Sequence, residues 1–193
     1  MADRTAHWIS ILFDSSPLSI LVFLAFGWHS AGTAGLVWAI LALAIVTGIP
    51  LGYMLLGRQL GWVSDMELTN REERPRFILV SLSSDVLGLA VLWIGGGPRP
   101  LRLLVLTYLC LAIVMFTVSS FWKISMHLAG VGGFSTALVF VFGLGASLAF
   151  LSLPLVAWAR LHRRKHTPIQ LVAGALAGIA AASLVFGWLA KWV

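Results

Sequence analysis

Charge and sulfur are what this chain has least of. Of its 193 residues only 10% are charged, where a soluble domain carries about 25%. A water-soluble globular domain is therefore excluded. The one cysteine, Cys110, lies in an apolar run, so no intrachain disulfide is available and the redox compartment is not encoded. Met1–Thr5 contains an acid, Asp3, and no small-residue cleavage site follows a short apolar core, which speaks against a signal peptide. No basic patch is interleaved with aromatics in the manner of RNA-binding proteins, so nucleic acid is not an expected partner. The glycine-rich runs Gly130–Gly133 and Gly143–Gly145 follow no strand and are not nucleotide loops.

What is abundant is apolar surface. Hydrophobic residues make up 60% of the chain, with nineteen glycines and nine tryptophans. Small residues let membrane helices approach closely, and Trp favours the interface. A helix needs roughly 20 apolar residues to cross a bilayer. Seven candidate runs satisfy or approach this: Trp8–Gly27, Thr33–Leu56, Phe77–Ile94, Leu101–Trp122, Leu128–Phe142, Gly145–Ala159 and Ile169–Leu189. Asp14 and Pro17 interrupt the first, so Trp8–Phe13 either belongs to it or lies along the interface with a shorter span after Pro17. The fifth and sixth are short and read as a tight hairpin about Gly143. The expectation is an all-α, polytopic transmembrane bundle of six to seven spans. The whole chain, 1–193, reads as a single integral membrane domain with a polar loop at 57–76. Trp62, Trp93, Trp122, Trp188 and Trp192 read as interface anchors.

The breaks between spans alternate in character. The N-terminus, Gly57–Arg76, the Lys123 region and Arg160–Pro168 together hold ten Lys and Arg. The other set, Trp28–Gly32, Gly95–Pro100 and the Gly143 turn, is small and nearly neutral, and its side of the membrane holds three, namely Arg99, Arg102 and Lys191. The positive-inside rule then turns the polar loops toward the cytoplasm, in what is expected to be the cell inner membrane. Membrane lipids are the expected partners.

Three polar stretches, each separated from the next by two spans, are thereby expected on one face. They are Glu67–Pro75, Lys123–His127 and Arg160–Gln170. Ionisable groups at helix ends are functional candidates. Arginine pairs bidentately with phosphate and keeps its charge, while histidine serves as nucleophile or general acid near neutral pH. That inventory suits phosphoryl transfer on a lipid-borne phosphate.

These residues resemble the type 2 phosphatidic acid phosphatase superfamily. Its motifs run K-x6-R-P, P-S-G-H and S-R-x5-H-x3-D. Here they read Glu67-x6-Arg74-Pro75, then Ile124-Ser125-Met126-His127, then Ala159-Arg160-x5-His166-x3-Gln170. The resemblance covers roughly 67–178. It implies that His166 attacks phosphorus to form a phosphohistidine and that His127 protonates the leaving oxygen. It also implies that Arg74, Arg160 and Ser125 hold the phosphate oxygens. A lipid phosphate or an isoprenoid diphosphate is the implied substrate, and no cofactor is implied.

The departures are specific. Glu67 stands where the family has lysine, and Lys123 is the replacement cation closest in sequence to Ser125. Gln170 stands where an acid orients the nucleophilic histidine. Four residues apart on a helix, His166 and Gln170 are expected to share a face, and a glutamine carbonyl can fix the imidazole tautomer without stabilising its charge. The acids Asp65 and Glu67 are weak candidates for a Mg²⁺ that helps bind a diphosphate. Two rival functions remain: a degenerate relative that binds or transfers a lipid phosphate, and a structural subunit of a membrane complex. Arg163-Arg164-Lys165 reads as a basic cluster for anionic headgroups. Asp85, inside the third span, is costly there and reads as protonated or paired. The oligomeric state is not legible.

Overall fold

The computed structural model describes residues 2–13, 15–66 and 68–191; Asp14, Glu67 and Trp192, named above, lie outside them. Every regular element among the described residues is helical. Eight helices are α1 (Ala2–Leu12), α2 (Ser15–Val46), α3 (Gly48–Gln59), α4 (Arg74–Ile94), α5 (Arg99–Phe121), α6 (Met126–Phe142), α7 (Ser152–His162) and α8 (Pro168–Ser183). Short 3₁₀ turns lead into α4 (Arg71–Glu73) and α7 (Leu144–Leu151), and a π turn (Leu184–Trp188) continues α8.

Five stretches are long and apolar enough to cross a membrane: Arg4–Gln59, Arg74–Ile94, Arg99–Ser119, Leu144–His162 and Pro168–Lys191, with the shorter apolar α6 beside them. Their outward side chains are apolar too; Leu21, Val37, Ile94 and Leu148 are each more than half exposed. Such a surface is stable against lipid and not against water. The chain is an integral membrane protein, a polytopic helical bundle.

The chain divides into two compact units, one formed by 1–22 with 124–193 (unit 1) and the other by 23–123 (unit 2). In unit 2, α2 is not one straight rod. Its backbone leaves helical geometry at Ala31 and at Gly32, whose φ of 56° suits glycine alone. The arms fold back on each other: a Cβ on Gly35 would stand 1.9 Å from the Gly27 carbonyl oxygen. The break expected at Trp28–Gly32 is thus a hairpin, possible because both contact positions are glycine. The α4–α5 connection is another, turning at Gly96 (φ 76°) with Gly97 N–H donating to Leu92 O at 2.7 Å.

In unit 1, α6 and α8 lie against each other through glycine. A Cβ on Gly178 would meet the Ala129 carbonyl oxygen at 1.9 Å, and one on Gly132 would meet the Ala175 oxygen at 2.6 Å. Main-chain approach of this kind substitutes packing for the hydrophobic drive that lipid does not supply. Leu128, Val131, Val156 and Leu171 form the core there, covered by Ile9, Phe13 and Leu18. The first apolar run therefore begins as a separate helix, α1, with Trp8 exposed.

Candidate functional site

The third polar stretch and all of the second but Lys123 belong to unit 1, and a main-chain bond joins them. Ser125 N–H donates to the Gln170 carbonyl at 3.2 Å. Gly174, one turn further along α8, lies against the same loop, where a Cβ would meet the Ser125 oxygen at 2.4 Å. Ser125 is fully buried and caps α6: its extended backbone (φ −86°, ψ 107°) starts the helix, and its hydroxyl accepts Leu128 N–H. That leaves the hydroxyl proton to donate elsewhere. His127 sits in the first turn of α6 and is half-buried.

Arg160 closes α7 and is 2% exposed, a cation drawn fully into the protein. Beyond it the chain reverses tightly. Arg164 N–H donates to Leu161 O at 2.9 Å and Lys165 N–H to Arg160 O at 3.1 Å. These are the paired bonds of a Schellman ending, whose left-handed residue is Arg164 at φ 51°, a place glycine normally takes. The turn folds Arg163-Arg164-Lys165 back over the helix end and delivers His166. The five-residue spacing from Arg160 to His166 is thus a helix stop, not a helix. Both ring nitrogens of His166 are buried.

The expected helical face shared by His166 and Gln170 is not formed. α8 begins at Pro168 with Thr167 as its N-cap, so His166 precedes the helix. The Gln170 Oε1 accepts Thr167 N–H at 3.1 Å, and the Thr167 side chain accepts the Gln170 backbone N–H in return. This reciprocal capping box occupies the carbonyl that was expected to accept from imidazole. The signal was present in the sequence, since Thr-Pro-x-Gln is a helix-start pattern.

Unit 2 carries the first stretch and Lys123. Arg74 is the first residue of α4 rather than part of the loop, and it is 2% exposed. Its Nε donates to the Leu68 carbonyl at 2.9 Å. Leu68 is itself buried and left-handed, at φ 47°. Arg74 thus secures a strained turn of the 57–76 loop. Gly88 of α4 faces Val105 of α5, 3.8 Å from a built Cβ, which sets an antiparallel register. Arg74 then stands at the end of the pair where α5 stops at Phe121, two residues before Lys123.

Asp65 and Glu73 serve the loop. Glu73 Oε2 accepts Ser64 N–H at 3.0 Å, and its Oε1 accepts from Asn70 Nδ2 at 3.2 Å. The Ser64 backbone donor, foremost, holds the Glu73 carboxyl below its ordinary value of 4.5. Asp65 accepts Thr69 N–H at 3.2 Å. No group of three or more His, Cys, Asp or Glu among the described residues can hold a metal ion. Of the two candidate Mg²⁺ ligands, Asp65 is thus engaged within the loop, and Glu67 lies outside the described residues. Sequence reasoning also missed the stack of Trp158 on His162, with ring centroids 5.5 Å apart, which the i to i+4 spacing on α7 allows.

No family model, curated protein or solved structure matches the chain.

Proposed function

We propose that this membrane protein is a phosphatase of lipid phosphates or isoprenoid diphosphates, working through His166. The observation that carries the reading is the Ser125 N–H to Gln170 O=C bond, which ties the two histidine-bearing stretches into one locality of unit 1. His166 attacks phosphorus, His127 gives a proton to the departing lipid oxygen, and water then cleaves the phosphohistidine. Arg160 and the Ser125 hydroxyl hold the equatorial oxygens, where donors fixed in a dry setting are most effective. For Arg74 of unit 2 a phosphate-binding role rests on the resemblance alone, and for Lys123 on its place two residues before Ser125. The reaction as assigned needs no metal. The charge asymmetry of the loops turns the site toward the cytoplasm, where prenyl diphosphates are accessible. An extracytoplasmic position for a protease-sensitive tag inserted in the 57–76 loop would overturn that orientation.

A second reading is favoured by Gln170. Its carbonyl is engaged in capping, and glutamine stands where the resembled family has the acid that orients the nucleophile. On this reading the protein binds or transfers a lipid phosphate without hydrolysing it. Phosphate release from a panel of lipid phosphates and prenyl diphosphates, with His166→Ala beside the wild type, separates the two. Release that vanishes in the variant supports the phosphatase. Lipid binding without release by folded protein supports the second reading.

A further inference from the structure

Asp85 stands in the middle of α4 at 2% exposure, and its Oδ1 has no hydrogen-bond partner among the described residues. It lies in unit 2 and takes no part in the phosphatase reading. Two neighbouring helices present polar features at its level. On α5, the register set by Gly88 against Val105 brings Tyr108 level with Asp85, and the Tyr108 hydroxyl oxygen is buried. On the other side runs the second arm of α2, antiparallel to α4. Built Cβ atoms on Gly95 and Gly88 would meet Trp38 at 2.3 Å and Val46 at 2.6 Å.

That register carries the junction of α2 and α3, Thr47–Pro50, to the level of Ser84 and Asp85. Ile49 and Ser84 line one groove of about 310 Å³, which fixes the same level independently. Pro50 has no N–H, so the Val46 carbonyl loses the donor that a continuous helix would give it. An interior carboxyl and a freed main-chain acceptor therefore lie within about one helical turn of each other.

Among the described residues of unit 2, no cation lies level with Asp85. The α2 arm from Gly35 to Val46 has no titratable residue. The titratable side chains on adjoining helices near its level are Tyr53 on α3 and Tyr108 and Cys110 on α5. The nearest cation in register is Arg102, whose guanidinium sits over the Trp93 ring, 5.1 Å from its centroid. Carboxyls retained inside membrane helices mark ion or proton sites. Main-chain carbonyls freed from helical bonding are among the groups that hold protons and small cations inside membrane proteins. With a single acid and no cage of further carboxylates, a proton is the ligand this geometry fits.

We propose that unit 2 holds a proton-binding site at Asp85, whose protonated carboxyl donates to the Val46 carbonyl freed by Pro50 and so tightens the contact of α2 with α4. Loss of the proton removes that bond and loosens the contact.

The test is modification of the full chain in liposomes by N,N′-dicyclohexylcarbodiimide across a pH series, read by peptide mass mapping. The acid proton adds to a carbodiimide nitrogen and the carboxylate oxygen to its central carbon. The O-acylisourea then rearranges to a stable N-acylurea, and nothing leaves. The expected result is an adduct on the α4 peptide that declines as pH rises, is lost in Asp85→Asn and is kept in Asp85→Glu. Pro50→Ala, which returns a helical donor to Val46, should move the decline to lower pH. An unlabelled α4 peptide at every pH, or the same adduct in Asp85→Asn, overturns the proposal. The wild-type pH profile decides it even if a variant fails to fold.

Discussion

The two units treat polarity differently. Unit 1 concentrates chemistry at chain reversals: Ser125 caps α6, Arg160 ends α7 in a Schellman turn, and His166 precedes the capping box of α8. Unit 2 spends its polar groups on holding a loop, with Arg74 on Leu68 O and Glu73 on Ser64 N–H, and buries one acid, Asp85, in mid-span. The difference teaches that a buried arginine is not by itself a substrate site. Arg160 and Arg74 are equally hidden, yet only Arg160 shares a unit with both motif histidines.

Variants can break that contrast. The largest effect expected is His166→Ala in unit 1, which should lower phosphate release by about 10⁴-fold or more while leaving thermal unfolding in detergent unchanged. In unit 2, Arg74→Lys keeps the charge but loses the Nε–H to Leu68. If Arg74 only secures the loop, proteolysis of 57–76 accelerates and release falls in proportion to folded protein. If it also binds phosphate, release falls by a further ~10²-fold in protein that remains folded.

Packing should come next. Gly178→Ala pushes a methyl into the Ala129 carbonyl and should cost about 1–3 kcal/mol by denaturant or thermal unfolding. Gly88→Ala in unit 2 meets side chains and no main chain, Val46 foremost, and should cost less. Equal costs would mean that the α6–α8 contact relaxes as easily as a side chain does. Smaller still, Gln170→Ala removes half of the capping box and should cost about 0.5–1 kcal/mol.

The smallest effect is in the loop. The folded Glu73 carboxyl lies below its ordinary value, so its contribution is present above about pH 4.5 and is lost as pH falls through the folded value. Protease sensitivity of the 57–76 loop should therefore rise on acidification, and Glu73→Gln should flatten that dependence. A loop equally sensitive at both ends of the pH range would remove Glu73 from its assigned role.

Much of the helix inventory was legible because apolar runs and their Gly and Pro breaks are local. The hairpin at Ala31–Gly32 arises from Gly27, Gly32 and Gly35, and the turn at Gly143 (φ 81°) was expected. Helix edges shifted by a few residues: α4 starts at Arg74 rather than Phe77, and α8 at Pro168 rather than Ile169. These starts are decided by Pro75 and by the Thr167–Gln170 box, which hydropathy does not register. The left-handed backbone at Leu68 and Arg164 was illegible, since neither residue type favours it and both are held there by bonds to the surrounding chain.

By itself the sequence determined that this chain lives in a membrane as a helical bundle, because scarce charge and long apolar runs admit no other stable state. It also supplied, by residue type and spacing, the candidates for phosphate chemistry. Only the tertiary structure decided that Gln170 caps α8 instead of facing His166, that Ser125 is tied to Gln170, and that Asp85 lies level with the proline-interrupted junction of α2 and α3. Those outcomes depend on which main-chain donors and acceptors remain unsatisfied once helices pack, and that accounting exists only in three dimensions.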